Sequence, residues 1–252
     1  MTEYTHDKIV PFKGSELGKK QQIAAMFDRI AFRYDFLNRF LSGGIDIYWR
    51  RRAIRRLMDL HPRQVLDVAT GTADMAIMMT KYLSTAKVTG IDISNGMLDI
   101  GRQKVARHKL EGRIILQEGD SESLALPDNS FDAVTVAFGV RNFENLEKGL
   151  KEMLRVLRPG GRLVILEFSQ PKTPGIRQLY NFYLNLVAPR IGRAVSHSGE
   201  AYQYLNDSVK AFPEGKDLIR ILEKCGYAHT RLKKLSLGIC SIYTGEKEPS
   251  GN

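Results

Sequence analysis

The stretch VLDVATGTADMA, residues 65–76, runs from an apolar segment through an acid and a glycine-containing turn into the start of an amphipathic segment. Residues 65–69 predict a buried strand, and the segment that follows, to about Lys81, predicts a helix. A turn of this kind sets backbone N–H groups and a helix N-terminus at the carboxyl edge of a sheet, where ligands bind in open α/β folds. Working outward, residues 88–93, 113–117, 131–138 and 162–168 supply four more strands, and residues 96–108 a helix. Before the last of these strands, Leu146, Leu150, Met153, Leu154 and Leu157 recur at helical spacing over residues 145–157. Arg158-Pro159-Gly160-Gly161 is then a turn that cannot continue a helix. Strands alternating with helices predict an α/β protein on a parallel sheet.

Two helical segments, 17–34 and 46–60, precede this unit, separated by Ser42-Gly43-Gly44. An aromatic, basic helical stretch (175–192), a helix (216–225) and two strand-like runs (230–235 and 238–244) follow it. The chain has 252 residues, 43% hydrophobic and 26% charged, enough to bury a core and consistent with one large domain. Its longest uncharged stretch, residues 178–189, would reach only ~18 Å as a helix against roughly 30 Å of bilayer hydrocarbon. The polar N-terminus lacks an apolar core segment, so no signal peptide is expected. The two cysteines, Cys225 and Cys240, read as buried thiols and suit a reducing cytoplasm. The formal charge of +10 lies at the two ends: residues 1–62 and 169–252 each carry 12 Lys/Arg against 7 Asp/Glu, and residues 63–168 carry 14 against 14.

The acids at the predicted strand ends point to a cofactor. Asp92 stands 21 residues after Gly71, the distance at which a carboxylate accepts both hydroxyls of a ribose. Of the three glycine places of a dinucleotide turn only Gly71 is filled; Ala69 and Ala73 hold the others, and Asp74 adds negative charge where phosphates would lie. That disfavours pyrophosphate. S-adenosylmethionine has no phosphate, and its cationic sulfonium and amino group suit a turn carrying Asp67 and Asp74. Asp120, in Gly119-Asp120-Ser121, is placed to accept from the adenine amino group.

LDVATGTAD, GIDIS with Met97 following, GDSESLALPDNSFDAVTVAFGVRNF, LRVLRPGGRLVILEFS and YQYLNDSV together resemble the family of ubiquinone/menaquinone biosynthesis C-methyltransferases. The resemblance extends from Phe27-Asp28-Arg29-Ile30-Ala31 and Tyr34-Asp35 to Gly238. It implies a class I methyltransferase, with a Rossmann-like, mostly parallel seven-stranded sheet of order 3-2-1-4-5-7-6 flanked by helices. On that reading residues 1–62 form an N-terminal helical lid, residues 63–245 the S-adenosylmethionine-binding domain with a helical substrate-lid insertion at about 170–210, and residues 246–252 a frayed tail. The expected cofactor-binding set is Asp67, Gly71, Thr72, Asp92, Asp120 and Ser121. The family often has a small polar residue where Ala137 stands, so that hydroxyl contact is not carried over.

The reaction implied is transfer of a methyl group to a ring carbon of a polyprenylated hydroquinone. Carbon is a weak nucleophile unless an adjacent phenol is ionised, and ionisation at pH 7 costs about 4 kcal/mol for a phenol of pKa near 10. Arg141, in Phe138-Gly139-Val140-Arg141-Asn142, supplies a permanent cation at the end of the fourth predicted strand and is assigned phenolate stabilisation. Tyr34 is assigned a hydrogen-bonding or proton-relay role, and Asp35 is the carboxylate able to take the proton directly. GTAD, FGVRNF and FSQP favour demethylmenaquinol as acceptor, with 2-polyprenyl-6-methoxybenzoquinol as the alternative.

Arg50-Arg51-Arg52 with Arg55-Arg56 predicts a cationic helix face, and residues 176–195 interleave apolar and aromatic positions with Arg177, Arg190 and Arg193. A polyprenyl tail resides in membrane, so contact with an anionic surface, on the inner face of the cytoplasmic membrane, is expected of an otherwise cytoplasmic protein. The sequence leaves oligomeric state open, a homo-oligomer included. An RNA methyltransferase would use the basic ends on phosphates, but no RNA-binding module is visible and nucleic acid is not expected as a partner. A cofactor-binding module without catalysis would not need both Arg141 and the Tyr34-Asp35 pair. The histidines, His6, His61, His108, His197 and His229, lack metal spacing and read as solvated or loop residues.

Overall fold

Strand β1 (Gln64–Val68) buries Val65, Leu66 and Val68 completely, and its alternate residues face two apolar layers. Leu66 and Val68 pack with Val134, Val136, Leu163 and Ile165. Val65 packs with Val88, Ala133, Val164 and Leu166 on the other side. Successive strand side chains point to opposite faces, so a strand covered on both reads as an unbroken apolar run. The computed structural model describes residues 4–182 and 199–249. Its sheet adds β2 (Lys87–Asp92), β3 (Ile114–Glu118), β4 (Phe131–Ala137), β5 (Leu157–Phe168), β6 (Ala228–Leu235) and β7 (Cys240–Glu246). The order is β3-β2-β1-β4-β5-β7-β6, as the resemblance implies. Strands β1 to β5 pair in parallel; β7 runs antiparallel to both neighbours.

The helices are α1 (Lys19–Ser42), α2 (Ile45–Ile54), α3 (Asp74–Tyr82), α4 (Asn95–Arg107), α5 (Leu146–Val156), α6 (Pro174–Phe182), α7 (Gly199–Ala211) and α8 (Lys216–Lys224). Ser94 caps α4 by accepting from Met97 N at 3.2 Å, and Asn145 caps α5 by accepting from Lys148 N at 2.9 Å. Helix α7, which falls within the helical insertion expected at about 170–210, sets Ala201 and Tyr204 against Ile23 and Met26 of α1. Helix α6 is the start of the expected 175–192 helix; residues 183–198, with Arg190, Arg193 and His197, lie outside the described residues.

Three expectations need correction. Arg158-Pro159-Gly160-Gly161 lies within β5 as a bulge, since Phe131 pairs with Leu157 but Ala133 with Arg162. Gly160 holds φ +77°, and its N–H donates to Lys247 O at 2.8 Å. The tail is therefore not frayed where it begins: Glu246 accepts from Arg162 Nε at 2.9 Å, and Lys247 Nζ caps the carbonyls of Arg155 and Leu157. His6 is fully buried, its ring edge-on to Phe212 with centroids 5.3 Å apart. Burial, helped by Lys19, pushes its pKa down to about 3. His61, His108 and His229 are exposed, and both cysteines are buried and free.

Candidate active site

The turn after β1 bends through unusual conformations, with Ala69 at φ +52°, Gly71 at +56° and Ala73 at +63°. Alanine in the left-handed region costs roughly 1–2 kcal/mol, and such strain concentrates at functional sites. Opposite it, Phe138 holds φ +60°, and a Cβ on Gly139 would come within 2.5 Å of the Ala69 side chain. The carboxyl ends of β1 and β4 thus approach as closely as backbone allows. Above them opens a cleft of about 670 Å³, counted to its mouth, which Tyr34, Gly71, Asp92, Asp120, Ser121, Ala137 and Phe138 help to line.

Asp92 is oriented by the backbone: Oδ2 accepts from Gly71 N at 2.8 Å and Oδ1 from Ser94 N at 2.9 Å. Burial nevertheless pushes its pKa up to about 6. Asp120 Oδ1 accepts from Glu122 N at 2.9 Å, and its Oδ2 lies 2.7 Å from Lys20 Nζ, which also pairs with Glu122 at 2.9 Å. Lys20, from α1, is a cleft residue that the sequence reading did not single out. Asp28, whose role the sequence does not show, accepts from Ser94 Oγ at 2.6 Å and from Gly96 N at 2.9 Å, fixing α1 on the start of α4.

Other expected residues lie elsewhere. Asp67 sits beneath the turn, accepting from Thr70 Oγ1 at 2.7 Å and Thr135 Oγ1 at 2.6 Å, and does not line the cleft. Burial raises its pKa to about 6. Thr72 is buried and donates to Asp35, whose other oxygen is 2.7 Å from Lys104 Nζ. The same lysine pairs with Asp74, which also meets Arg39 at 2.9 Å. Thr72, Asp35 and Asp74 therefore form a clamp between α1, the turn and α4. This corrects Asp35 as proton acceptor, because both its oxygens are spent outside the cleft lining.

Arg141 is buried and does not itself line the cleft, although its neighbours Phe138, Gly139 and Asn142 do. Its Nη1 donates to Phe138 O and lies 3.0 Å from Glu167 Oε1, while its backbone N donates to Glu167 Oε2 at 3.3 Å. Glu167 is itself fully buried, which raises its pKa against the pull of Arg141. Asn142 lines the cleft and accepts from Tyr204 at 3.1 Å. Burial pushes the Tyr34 hydroxyl up, against Asn38, Arg141 and Arg50, so it is a donor at neutral pH and not a base. Phe138 and Phe168 pack with centroids 4.6 Å apart, and Trp49 closes on both. The expected cationic face loses Arg50, which turns inward over the Phe138 ring.

The lining suits an adenosyl group better than a pyrophosphate. Among the described lining residues Asp92, Asp120, Glu122 and Glu144 outnumber one cation, Lys20, and Ile91, Ile93, Met97 and Phe143 supply an apolar slot. Space above Gly71 is open, with nothing within 4 Å of a Cβ built there. A model of the ubiE/COQ5 methyltransferase family matches residues 16–247. The chain belongs to that family.

Within the ubiE/COQ5 family it is 44% identical over 245 residues to a demethylmenaquinone methyltransferase of Bacteroides fragilis, covering 97% of this chain and 99% of that one. It is 47% identical over 237 residues to the ubiquinone/menaquinone biosynthesis C-methyltransferase UbiE of Geotalea daltonii, covering 94% and 100%. Among solved structures, a SAM-dependent methyltransferase from Thermotoga maritima superposes with a TM-score of 0.60 at 19% identity, over 89% of this chain and 99% of that one. That likeness concerns the fold.

Proposed function

We propose that this ubiE/COQ5 family member transfers a methyl group from S-adenosylmethionine to a ring carbon of demethylmenaquinol. The observation that carries the reading is end-to-end similarity to a protein of that name, joined to a cleft that is acidic where the adenosyl group would lie and aromatic where a ring would.

Asp92 would hold the ribose hydroxyls and Asp120, with Ser121 beside it, the adenine edge. The donor supplies an electrophilic methyl group; the chain's task is to hold the ring carbon in line with it and make that carbon electron-rich. Arg141, aimed by Glu167 and the Phe138 carbonyl, would offset the cost of ionising the phenol. Tyr34, kept protonated, would donate a hydrogen bond to the same oxygen. Methyl transfer to carbon gives up one ring proton in all, and with Asp35 tied to Lys104 that proton passes to solvent.

The reading also places the protein in the cytoplasm, at a membrane surface. Among the described residues no helix is long and apolar enough to cross a membrane. The outer face of α2 exposes Ile45, Tyr48 and Arg51 and continues through Arg55 to Met58, apolar and cationic in the manner of an interfacial helix. Cosedimentation with anionic but not neutral vesicles is expected; absence from both would count against this contact. Quinone extraction from a strain lacking the protein tests the acceptor. Accumulated demethylmenaquinone is expected, whereas accumulated 2-polyprenyl-6-methoxybenzoquinone would move the enzyme to ubiquinone synthesis, and an unchanged quinone pool would refute both.

A further inference from the structure

Trp49, Ala53, Ile54 and Leu57 define the buried arc of α2 and its continuation. Arg50, four residues before Ile54, falls on that arc and is only 7% exposed. Its guanidinium carbon lies 5.2 Å from the centroid of Phe138, a cleft-lining ring. Among the described residues none of its N–H groups makes a hydrogen bond, and Nε is fully enclosed. The nearest carboxylate, Asp46, is 3.7 Å from Nε and already accepts from Ser42 Oγ at 2.9 Å and Arg39 Nη1 at 3.2 Å. Arg113, by contrast, donates to the carbonyls of Thr80, Leu83 and Ala86.

A buried charged donor without an acceptor is costly, and such groups persist where a ligand completes them. The remaining titratable groups in the field of Arg50 do not complete it. Asp67 of β1 is satisfied by two threonines and Asp74 of α3 by Lys104 and Arg39. Tyr34 of α1 and Cys240 of β7 are held neutral by burial. Arg141 has the same feature, its Nε buried without a partner, and lies 5.7 Å from the centroid of Phe168. Two guanidiniums therefore flank one aromatic pair, each with unspent donors.

We propose that Arg50 is a second anion-binding cation of the acceptor site, donating to a ring oxygen of the ionised hydroquinone while Arg141 serves the other. This rests on the hydroquinone reading above. A hydroquinone carries oxygens at opposite ends of its ring, and a single arginine neutralised by Glu167 is a weak match for the charge that develops there. Arg50 has no such hydrogen-bonded counter-ion.

The test uses 1-naphthol, whose ultraviolet spectrum distinguishes phenol from phenolate, bound to the full chain with S-adenosylhomocysteine, in parallel with turnover of a short-chain demethylmenaquinol. In wild type the bound naphthol should ionise at lower pH than in water. In Arg50→Gln its ionisation should move up by about one pH unit, a tenfold loss of phenolate preference. Cofactor Kd should stay within twofold, and Arg50→Lys should recover at least half of the shift. An ionisation pH in Arg50→Gln equal to wild type would overturn the proposal, as would a wild-type protein that leaves naphthol unshifted. Should the glutamine variant fail to fold, Arg50→Lys decides: a five- to tenfold rise in acceptor KM at unchanged cofactor Kd supports the role, and an unchanged KM overturns it. Wild-type protein that shifts naphthol but never methylates demethylmenaquinol would refute the function and leave Arg50 standing.

Discussion

At the cofactor end of the cleft Asp92, Asp120 and Glu122 all find partners within the chain, from backbone N–H groups and from Lys20. At the end proposed for the acceptor, Arg50 and Arg141 are buried beside Phe138, and among the described residues the Nε of each has no partner. The first arrangement is a site finished before its ligand arrives, its carboxylates already pointed. The second keeps cations in a low-dielectric setting, where burying them is expensive and where an arriving anion gains most. Binding strength and chemistry should thus separate along the cleft: changes at the acid end should act on cofactor affinity, and changes at the arginine end on turnover.

The largest effect should follow Arg141→Ala, with kcat down about 100- to 1,000-fold, the range for removing a donor at developing negative charge, and calorimetric cofactor affinity nearly unchanged. Parallel loss of both would erase the distinction between the two ends. Next, Asp92→Ala should weaken S-adenosylhomocysteine about 10- to 100-fold, as expected for one or two charge-assisted hydrogen bonds. At saturating cofactor kcat should be restored.

His6 lies where the N-terminal segment meets the acid end: Lys19 Nζ donates to its carbonyl at 2.7 Å and to that of Phe143, a cleft residue, at 3.1 Å. Its folded pKa near 3 lies below the free value of 6.5, so the neutral form is the folded form. The stability this gives is whole above pH 6.5 and declines as the pH falls toward 3, at about 1.4 kcal/mol per pH unit. Asp67 and Asp92, raised to about 6 by burial, gain stability over the same range and oppose that decline, so the readout is the difference between wild type and His6→Leu in urea denaturation, which should move against wild type by about 2 kcal/mol between pH 7 and 5. The smallest effect should be that of Lys20→Met, which frees one oxygen of Asp120. The partly exposed pair is worth only about 0.2–1 kcal/mol, so cofactor should bind up to a few-fold tighter, and weaker binding would make Lys20 part of the cofactor site itself.

Much of the acid end was legible in the sequence, because it is built from contiguous strand-end motifs. Gly71, Asp92, Asp120 and Ser121 sit in the cleft where their spacing puts them. Asp67 and Thr72 share those motifs yet face away, since adjacent strand and turn residues alternate direction and only one set can look up. The arginine end was harder. Arg50 sits in a run of three arginines, and the eye takes such a run as one solvated face. The spacing of Trp49, Ala53, Ile54 and Leu57 nevertheless puts Arg50 on the buried arc, and that phase was the available signal. Glu167 lay inside an apolar strand without a partner in sequence, and Lys20, Asp28 and Lys104 act across gaps of 66 to 100 residues or between helices. Pairings of that kind exist only once the chain has folded.

The most direct measurement is product analysis with a donor carrying a carbon-13 methyl group and reduced demethylmenaquinone as acceptor. The account predicts one labelled methyl on the ring, bonded to carbon, in the nuclear magnetic resonance spectrum of the product. Label on oxygen, or none transferred while the donor binds normally, would contradict it.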